Sequence, residues 1–329
     1  MKKTGKVFVA GPASAARNAL VRRLKVHGLG DDRIDTREDC ELNLSDPSEV
    51  RAYLREAMPE QVYITTKPWD GSADNLQRGG TRLADALLGP VQLIHQAMYA
   101  GVKKLLFVAS HDVYGPCPVL PIAEEDLPHA RTGQCRNPLA IAHSVGIQLC
   151  EAYNTEFSDV LGLQYRSVVV GHLFGPEVES ETSTTGELRA LMRHIHQAHL
   201  FKLASVNICA NGQRRSDWLY VDDMAEACIQ VLEMPESKYQ SLTQPGRPQL
   251  NLGGGRAHSI QELAEAVARV VGYTGRLNVE SALDDVGHDF LLDTHRMLST
   301  GWEPQVGLEV GLHHMYRAYR QRARNVASA

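Results

Sequence analysis

Residues 6–24 read Lys6-Val-Phe-Val-Ala-Gly11-Pro-Ala-Ser14-Ala-Ala-Arg17-Asn-Ala-Leu-Val-Arg-Arg-Leu24. A short apolar run, a glycine and a helical pattern predict a strand, a tight turn and a helix. Glycines at intervals of three residues in such a turn let the backbone approach a pyrophosphate and let the helix pack on the strand. Here the three positions hold Gly11, Ser14 and Arg17. The stretch therefore predicts a nucleotide-binding unit with an altered phosphate loop.

The helix that follows Gly11 can contribute to phosphate binding even without the other two glycines. Backbone N–H groups at a helix N-terminus and the helix dipole favour phosphate without requiring three glycines. We expect Ser14 to be able to donate to an anion, while Arg17 either blocks the site or forms a new anion contact. Gly11, Ser14 and Arg17 are therefore candidate cofactor-binding residues.

The first half of the chain alternates apolar runs with helical patterns, which is typical of a parallel sheet covered on both faces. The pattern predicts strands at 7–10, 31–35, 61–65, 103–110 and 163–170 and helices at 18–27, 47–58, 81–100 and 139–155, with a kink at Pro90. The second half is less regular. We predict an α/β fold, a Rossmann-like doubly wound parallel sheet with a smaller C-terminal α/β substrate lobe.

The predicted domains each comprise two segments of the chain. Residues 1–175 and 216–254 are expected to form the nucleotide-binding domain, and residues 176–215 and 255–325 the substrate-binding lobe. Ser259 and Glu262 form a capping box that starts a helix in that lobe. The chain is expected to end in a helix rich in Arg and His.

Composition excludes several classes of function. The 34 basic and 39 acidic residues give a net charge of -5, which does not favour nucleic acid as a partner. No apolar run reaches the roughly 20 residues of a membrane helix, and the one after Lys6 is too short for a signal peptide. The six cysteines are scattered without a C-x-x-C pair, which favours a cytoplasmic chain with free thiols and no metal site. His194, His196 and His199 are interpreted as a solvated helix face.

Several later segments carry a resemblance to a known family. They are Glu41-Leu-Asn-Leu-Ser-Asp46, Lys103-Lys-Leu-Leu-Phe-Val-Ala-Ser110 with Tyr114, Gly146-Ile-Gln-Leu-Cys-Glu-Ala-Tyr-Asn154, Leu219-Tyr-Val-Asp-Asp-Met224 and Asn251-Leu-Gly-Gly-Gly255. The chain resembles the extended short-chain dehydrogenase/reductases, the NAD-dependent epimerase/dehydratase family, and within them the GDP-L-fucose synthases. That resemblance implies NADP as a possible cofactor, a nucleotide-sugar ligand, and a homodimer formed through the helices that follow Ala84 and Leu139.

The residues matching the family's catalytic motif differ from it. The family's proton-donating tyrosine and its lysine, four residues later, match Leu139 and His143, so reduction by the family's route lacks its acid. The family's serine matches Ser110, its epimerising cysteine matches Asp112, and the partner histidine matches Gly186. The resemblance thus implies the scaffold of a reductase without its standard catalytic pair.

Contacts to cofactor and substrate are also altered. Arg37 matches the family's contact to the NADP 2′-phosphate, and Asp46 joins it as a candidate cofactor contact. An arginine that holds a diphosphate matches Ser216, beside the candidate substrate contacts Arg214 and Arg215. Arg193 completes that set of substrate contacts. A second family arginine matches Asp289, which places negative charge near a diphosphate.

Three hypotheses follow. Ser110, His111, Asp112, Tyr114 and His143 are the candidate catalytic residues of a repurposed isomerase, epimerase or lyase, with His143 titrating near neutral pH. Alternatively His143 only fills the vacated lysine position, and the chain is a non-catalytic subunit of an active paralogue. The third hypothesis, an NADP-dependent GDP-sugar epimerase/reductase, requires Tyr114 or another tyrosine to replace Leu139.

Overall fold

The structure is a computed structural model that describes residues 5–37, 41–66, 79–115, 117, 119–127, 137–176, 184–210, 214–281 and 289–327. Its strands are β1 Val7–Ala10, β2 Ile34–Asp35, β3 Gln61–Ile64, β4 Lys104–Ser110, β5 Gln164–Val170, β6 His172–Phe174, β7 Ser205–Ala210, β8 Arg215–Tyr220, β9 Gln249–Leu252, β10 Ala257–Ser259 and β11 Arg276–Ser281. Its α-helices are α1 Ala15–Val26, α2 Pro47–Ala57, α3 Gly79–Tyr99, α4 Pro138–Leu161, α5 Thr184–Leu200, α6 Val221–Glu233, α7 Glu236–Leu242, α8 Ile260–Val271, α9 His295–Leu298 and α10 Leu308–Ala327.

Six parallel strands form the central sheet in the order β2-β1-β3-β4-β5-β9. The chain moves outward in one direction from β1 to β2 and in the other from β1 to β9, so the order reverses between β1 and β3. Ligands of such sheets bind outside the carboxyl ends of the strands at this reversal. The predicted doubly wound parallel sheet is confirmed.

Successive side chains of each strand point to opposite faces of the sheet, and helices cover the apolar side chains on both faces. Val7 and Val9 of β1 lie in a core with α1 and α6, whereas Phe8 lies in the opposite core with α2, α3 and α4. This two-residue period is the geometry of an extended strand. Both faces of β1 therefore pack in apolar cores.

A third core lies in the C-terminal part of the chain, among α5, α8 and α10. Strand β8 contributes side chains to two cores. Trp218 and Tyr220 lie in the third core, while Leu219 lies in the core of α1 and α6. Strand β8 itself pairs with β6 and β10, and β7 pairs with β11. The alternation of one strand thus couples the two halves of the molecule.

Several predicted boundaries differ from the observed ones. Helix α1 begins at Ala15 rather than at Asn18, because the Ser14 side chain caps it by accepting from the Arg17 N–H. Helix α3 continues through Pro90 as one element. Helix α4 extends to Leu161, where Gly162 takes the left-handed conformation that ends it.

Candidate functional site

The candidate site begins where β4 ends, at Ser110. The Ser110 hydroxyl donates to Oδ2 of Asp112 at 2.8 Å and accepts from the Asp112 backbone N–H at 3.4 Å. Residues 111–114 form a single 3-10 turn that Ser110 caps. Both side chains are half-buried, so the hydrogen-bonded pair remains reachable from the carboxyl edge of the sheet.

His143, on α4, contacts this turn from the interior. Its Nδ1 accepts the backbone N–H of Ser110 at 3.1 Å, which places the proton of the neutral ring on Nε2. The side chain is buried, its ring meets Phe107 edge-on, and Nε2 has no hydrogen-bond partner among the described residues. Burial lowers the pKa of His143 to about 4, although the nearby Asp112 carboxylate raises it. The expectation that His143 titrates near neutral pH is therefore wrong.

Leu139 lies one helical turn before His143 and is buried. Its aliphatic side chain cannot donate a proton. Of the sequence-predicted catalytic residues, the structure brings together Ser110, Asp112 and His143.

The ring of His111, next to this group, packs in a cluster of other rings. It packs against His172 with ring centroids 4.4 Å apart and against Phe290 at 4.2 Å, and Trp218 contacts His172 on the far side. Burial lowers the pKa of both His111 and His172. Sequence reasoning missed His172, which follows β5 at the same carboxyl edge as Ser110.

Tyr114 lies outside the candidate site. Its buried hydroxyl donates to Oδ1 of Asn251 at 2.5 Å and accepts from Nε2 of Gln249 at 3.3 Å, both on β9. Desolvation raises the pKa of Tyr114 far above its ordinary value. The catalytic role expected for Tyr114 is not supported by its position, because its proton is already bound within the protein.

The glycine loop at residues 11–17 keeps its tight turn, but the Arg17 side chain fills the space beside the turn. Gly11 has φ +114°, and a Cβ atom there would lie 2.1 Å from the Thr65 carbonyl oxygen. Arg17 is buried, and its Nη1 donates to the Gly11 carbonyl at 3.0 Å. The turn and the start of α1 suit a phosphate, whereas the folded-in guanidinium, Leu139 and His143 do not fit a nicotinamide cofactor held in the family's manner.

The other predicted cofactor contacts make contacts within the protein. Asp46 caps α2, its Oδ1 accepting from the Ser48 N–H at 2.7 Å. Arg37 lies with its guanidinium carbon 4.8 Å from the Tyr53 ring centroid and its Nε 3.6 Å from Asp35. Arg37 is still partly exposed, whereas the Asp46 carboxylate is engaged by helix α2.

Two of the candidate substrate arginines are adjacent at the start of β8, and the third lies on another element. Arg215 binds the Ala257 carbonyl at 2.9 Å and Glu262 at 3.2 Å, and its backbone N–H donates to Asp289. The Asp289 carboxylate therefore accepts a hydrogen bond from the protein backbone. Arg214 lies close enough to His111 and His172 to lower the pKa of both. Arg193 lies on α5, the helix that also carries Gly186.

Two negative findings apply to the described part of the chain. None of its helices combines the length and the apolar character needed to span a bilayer. No three of its His, Cys, Asp or Glu side chains are grouped as metal ligands would be. His196 instead bonds through Nδ1 to the Tyr316 hydroxyl at 2.9 Å.

Comparison with known proteins gives consistent matches. A family model described as the NAD dependent epimerase/dehydratase family matches residues 8–245. GDP-L-fucose synthase of Escherichia coli (strain K12) is 32% identical over 312 residues, covering 95% of each chain. GDP-L-fucose synthase 1 of Arabidopsis thaliana is 31% identical over 317 residues, covering 96% of this chain and 94% of the relative.

Solved structures agree with the fold. GDP-mannoheptose C4 reductase from Campylobacter jejuni, with NADP bound, superposes with a TM-score of 0.82 at 26% identity and covers 97% of this chain and 99% of its own. A GDP-D-glycero-L-gluco-heptose synthase from the same organism, crystallised in the presence of NADPH, superposes at 0.84 with 24% identity and the same coverage. The second likeness concerns the fold alone.

Proposed function

Because the chain belongs to the NAD dependent epimerase/dehydratase family, we propose that it keeps that scaffold for non-reductive chemistry on a nucleotide-sugar or related small molecule. The reaction class is isomerase, epimerase or lyase, in which a proton leaves a carbon next to a carbonyl. The relatives named GDP-L-fucose synthase support a GDP-sugar as the ligand class.

One observation carries the proposal: Ser110 and Asp112 form a half-buried, hydrogen-bonded pair at the carboxyl end of β4. Asp112 is the base and takes the carbon-bound proton, while the electron pair of that bond moves onto the carbonyl oxygen. A protonated Asp112 is a weaker acceptor, so the Ser110 hydroxyl is released to donate to the new oxyanion. Return of the proton completes an isomerisation or epimerisation.

His143 serves as a positioning residue in this scheme. It holds the Ser110 backbone through Nδ1. With its pKa lowered to about 4 by burial, it stays neutral at physiological pH. Proton transfer therefore depends on Asp112 rather than on the imidazole.

Solvent hydrogen exchange tests the proposal directly. The purified protein is incubated with GDP-4-keto-6-deoxy-mannose in D₂O without NADPH, and loss of the sugar C–H signals is followed by NMR. We expect exchange with the native chain and none with Asp112→Asn. Asp159→Asn is the matched control because Asp159 is an exposed carboxylate. NADPH-dependent reduction without exchange would contradict the proposal.

A second candidate is a non-catalytic subunit of an active paralogue. The buried Leu139 at the proton-donor position and the inward-folded Arg17 favour it. Native mass spectrometry of the chain purified from its source would then show a paralogue bound to it. Self-association alone would count against this candidate.

The third candidate, an NADP-dependent GDP-sugar epimerase/reductase, has weaker support. It needs a tyrosine in place of Leu139, and the hydroxyl of Tyr114 is bound to Asn251 and Gln249. Measured oxidation of NADPH with a GDP-4-keto sugar would favour this candidate over the first two.

The ligand is proposed to lie between residues 1–175 and 216–254 on one side and residues 176–215 and 255–325 on the other. We also propose a homodimer formed through the outer faces of α3 and α4. Leu88 and Tyr99 on α3 and Val145 on α4 are exposed apolar side chains that support this interface.

A further inference from the structure

Arg17 lies in the first turn of α1 and folds back into the glycine loop. Its backbone N–H donates to the Ser14 hydroxyl at 3.2 Å, which fixes the start of the helix. Its guanidinium Nη1 donates to the carbonyl of Gly11 at 3.0 Å. The side chain is only 5% exposed. The charged group is thus directed inward, onto the turn that carries it.

We propose that Arg17 occupies the phosphate position of this loop and thereby excludes a dinucleotide from the crevice beside β1. The loop is closed by its own side chain, and this one residue sets whether the scaffold takes up NADP. The proposal does not depend on the reaction assigned to Ser110 and Asp112, because it concerns a different part of the crevice.

A glycine loop binds pyrophosphate because no side chain separates the phosphate from the backbone. The arginine stem and guanidinium of Arg17 fill that space and use the Gly11 carbonyl as their acceptor. A phosphate approaching the start of α1 must first displace a buried, hydrogen-bonded side chain. That displacement breaks a charge-assisted hydrogen bond, which opposes phosphate binding at the loop.

The turn cannot make room by moving away. Gly11 has φ +114°, and its Cα faces the Thr65 carbonyl so closely that a Cβ atom would lie 2.1 Å from that oxygen. Thr65 is itself fixed, since its N–H and its hydroxyl both donate to the Ala10 carbonyl, at 2.9 and 3.0 Å. Gly11 is held against β3 on one side and bonded to Arg17 on the other.

A guanidinium beside a helix N-terminus also attracts anions, which gives the opposing view that Arg17 is a phosphate ligand. Its burial argues against that view. A ligand entering from solvent meets a cation that is 5% exposed and already donates to a carbonyl. The positive charge of Arg17 therefore does not by itself make the loop a phosphate-binding site.

The test is NADP⁺ binding by isothermal titration calorimetry, without any sugar substrate. We expect the native chain not to saturate up to about 1 mM NADP⁺, and Arg17→Gly to bind at least about tenfold more tightly. Arg22→Ala is the matched control, since it removes a positive charge from the same helix where Arg22 pairs with Asp222 on the surface. It should bind as the native chain does.

Two outcomes would overturn the proposal. Saturation of the native chain at micromolar NADP⁺, with weaker binding by Arg17→Gly, would make Arg17 a phosphate ligand. Equal binding by the native chain and Arg17→Gly would show that Arg17 excludes nothing. Arg17→Ala provides a second variant with better helix propensity if thermal melting shows that the glycine variant is unfolded. If the proposed function fails and no solvent exchange of the sugar hydrogens is seen, the expected result of this titration is unchanged.

Discussion

The backbone nitrogen of Ser110 lies 3.1 Å from Nδ1 of His143 and donates its hydrogen to it. This bond links the end of β4 to the second turn of α4 and defines the tautomer of a buried imidazole. It also sets the position of the Ser110 and Asp112 pair, because their turn starts at the bonded nitrogen.

Replacing His143 by Asn should reduce the acid sensitivity of the fold. The pKa of His143 is about 4 in the folded protein and 6.5 in a model peptide, so the unfolded chain binds more protons between these values. The contribution of neutral His143 to the free energy of unfolding is therefore fully present above pH 6.5. It falls by on the order of 3 kcal/mol as the pH drops toward 4. Urea midpoints measured between pH 4 and 7 should show a shallower decline for His143→Asn. An unchanged decline would disprove this assignment.

Ser110→Ala should slow the proposed proton exchange without abolishing it. The variant keeps the Asp112 base but loses the hydroxyl that donates to the oxyanion, so we expect a loss of about 10²-fold in turnover with little change in KM. Deuterium incorporation at saturating substrate measures this. Full activity in the variant would remove Ser110 from the mechanism.

Tyr114→Phe should affect stability rather than catalysis. The change leaves Oδ1 of Asn251 without its donor in a buried position, which costs about 1–3 kcal/mol. Chemical denaturation measures the loss, and exchange activity below the melting temperature should be retained. Tyr319→Phe, on α10 and outside the proposed interface, is the control and should change neither quantity. A fully stable but inactive Tyr114→Phe would restore Tyr114 to the site.

Asp217→Asn should change the pH dependence of stability in the opposite sense to His143→Asn. Burial raises the pKa of Asp217 to about 6 from 3.8, despite the N–H of Gly254 donating to it at 2.8 Å. The folded state then holds more protons between pH 3.8 and 6, so this group lowers stability as the pH rises through that window. Removing it should make the gain in stability from pH 4 to 6 steeper. A flatter profile would refute the assignment.

Val145→Glu should convert the proposed homodimer to monomer. Val145 is 39% exposed on the outer face of α4, where a buried carboxylate in an interface would be left unpaired. Light scattering coupled to size exclusion gives the mass. Val26→Glu on α1, which is 69% exposed on another face, should leave the mass unchanged. A native chain that is already monomeric would rule out the interface.

The parallel sheet was predictable from sequence because each strand is a short apolar run bounded by turn residues. Val7–Ala10 and the capping pair Ser259 and Glu262 were placed correctly from local pattern alone. The start of α1 was not, because Ser14 acts as a cap only when its side chain accepts from the Arg17 N–H.

The candidate site was predictable only in part. Ser110 and Asp112 are close in sequence, and a polar residue after a buried strand indicates the carboxyl edge. His172 was missed because it meets His111 only when β4 and β5 pair side by side. The burial that lowers the pKa of His143 likewise comes from residues distant in the chain.

The sequence by itself determined the order of strands and helices in the first half of the chain and the altered glycine loop, since these depend on residue type and local spacing. Tertiary structure alone decided where the polar groups point. It directed Arg17 onto Gly11, Tyr114 onto Asn251 and His143 onto Ser110, because hydrogen bonds in a buried interior select partners by position in space.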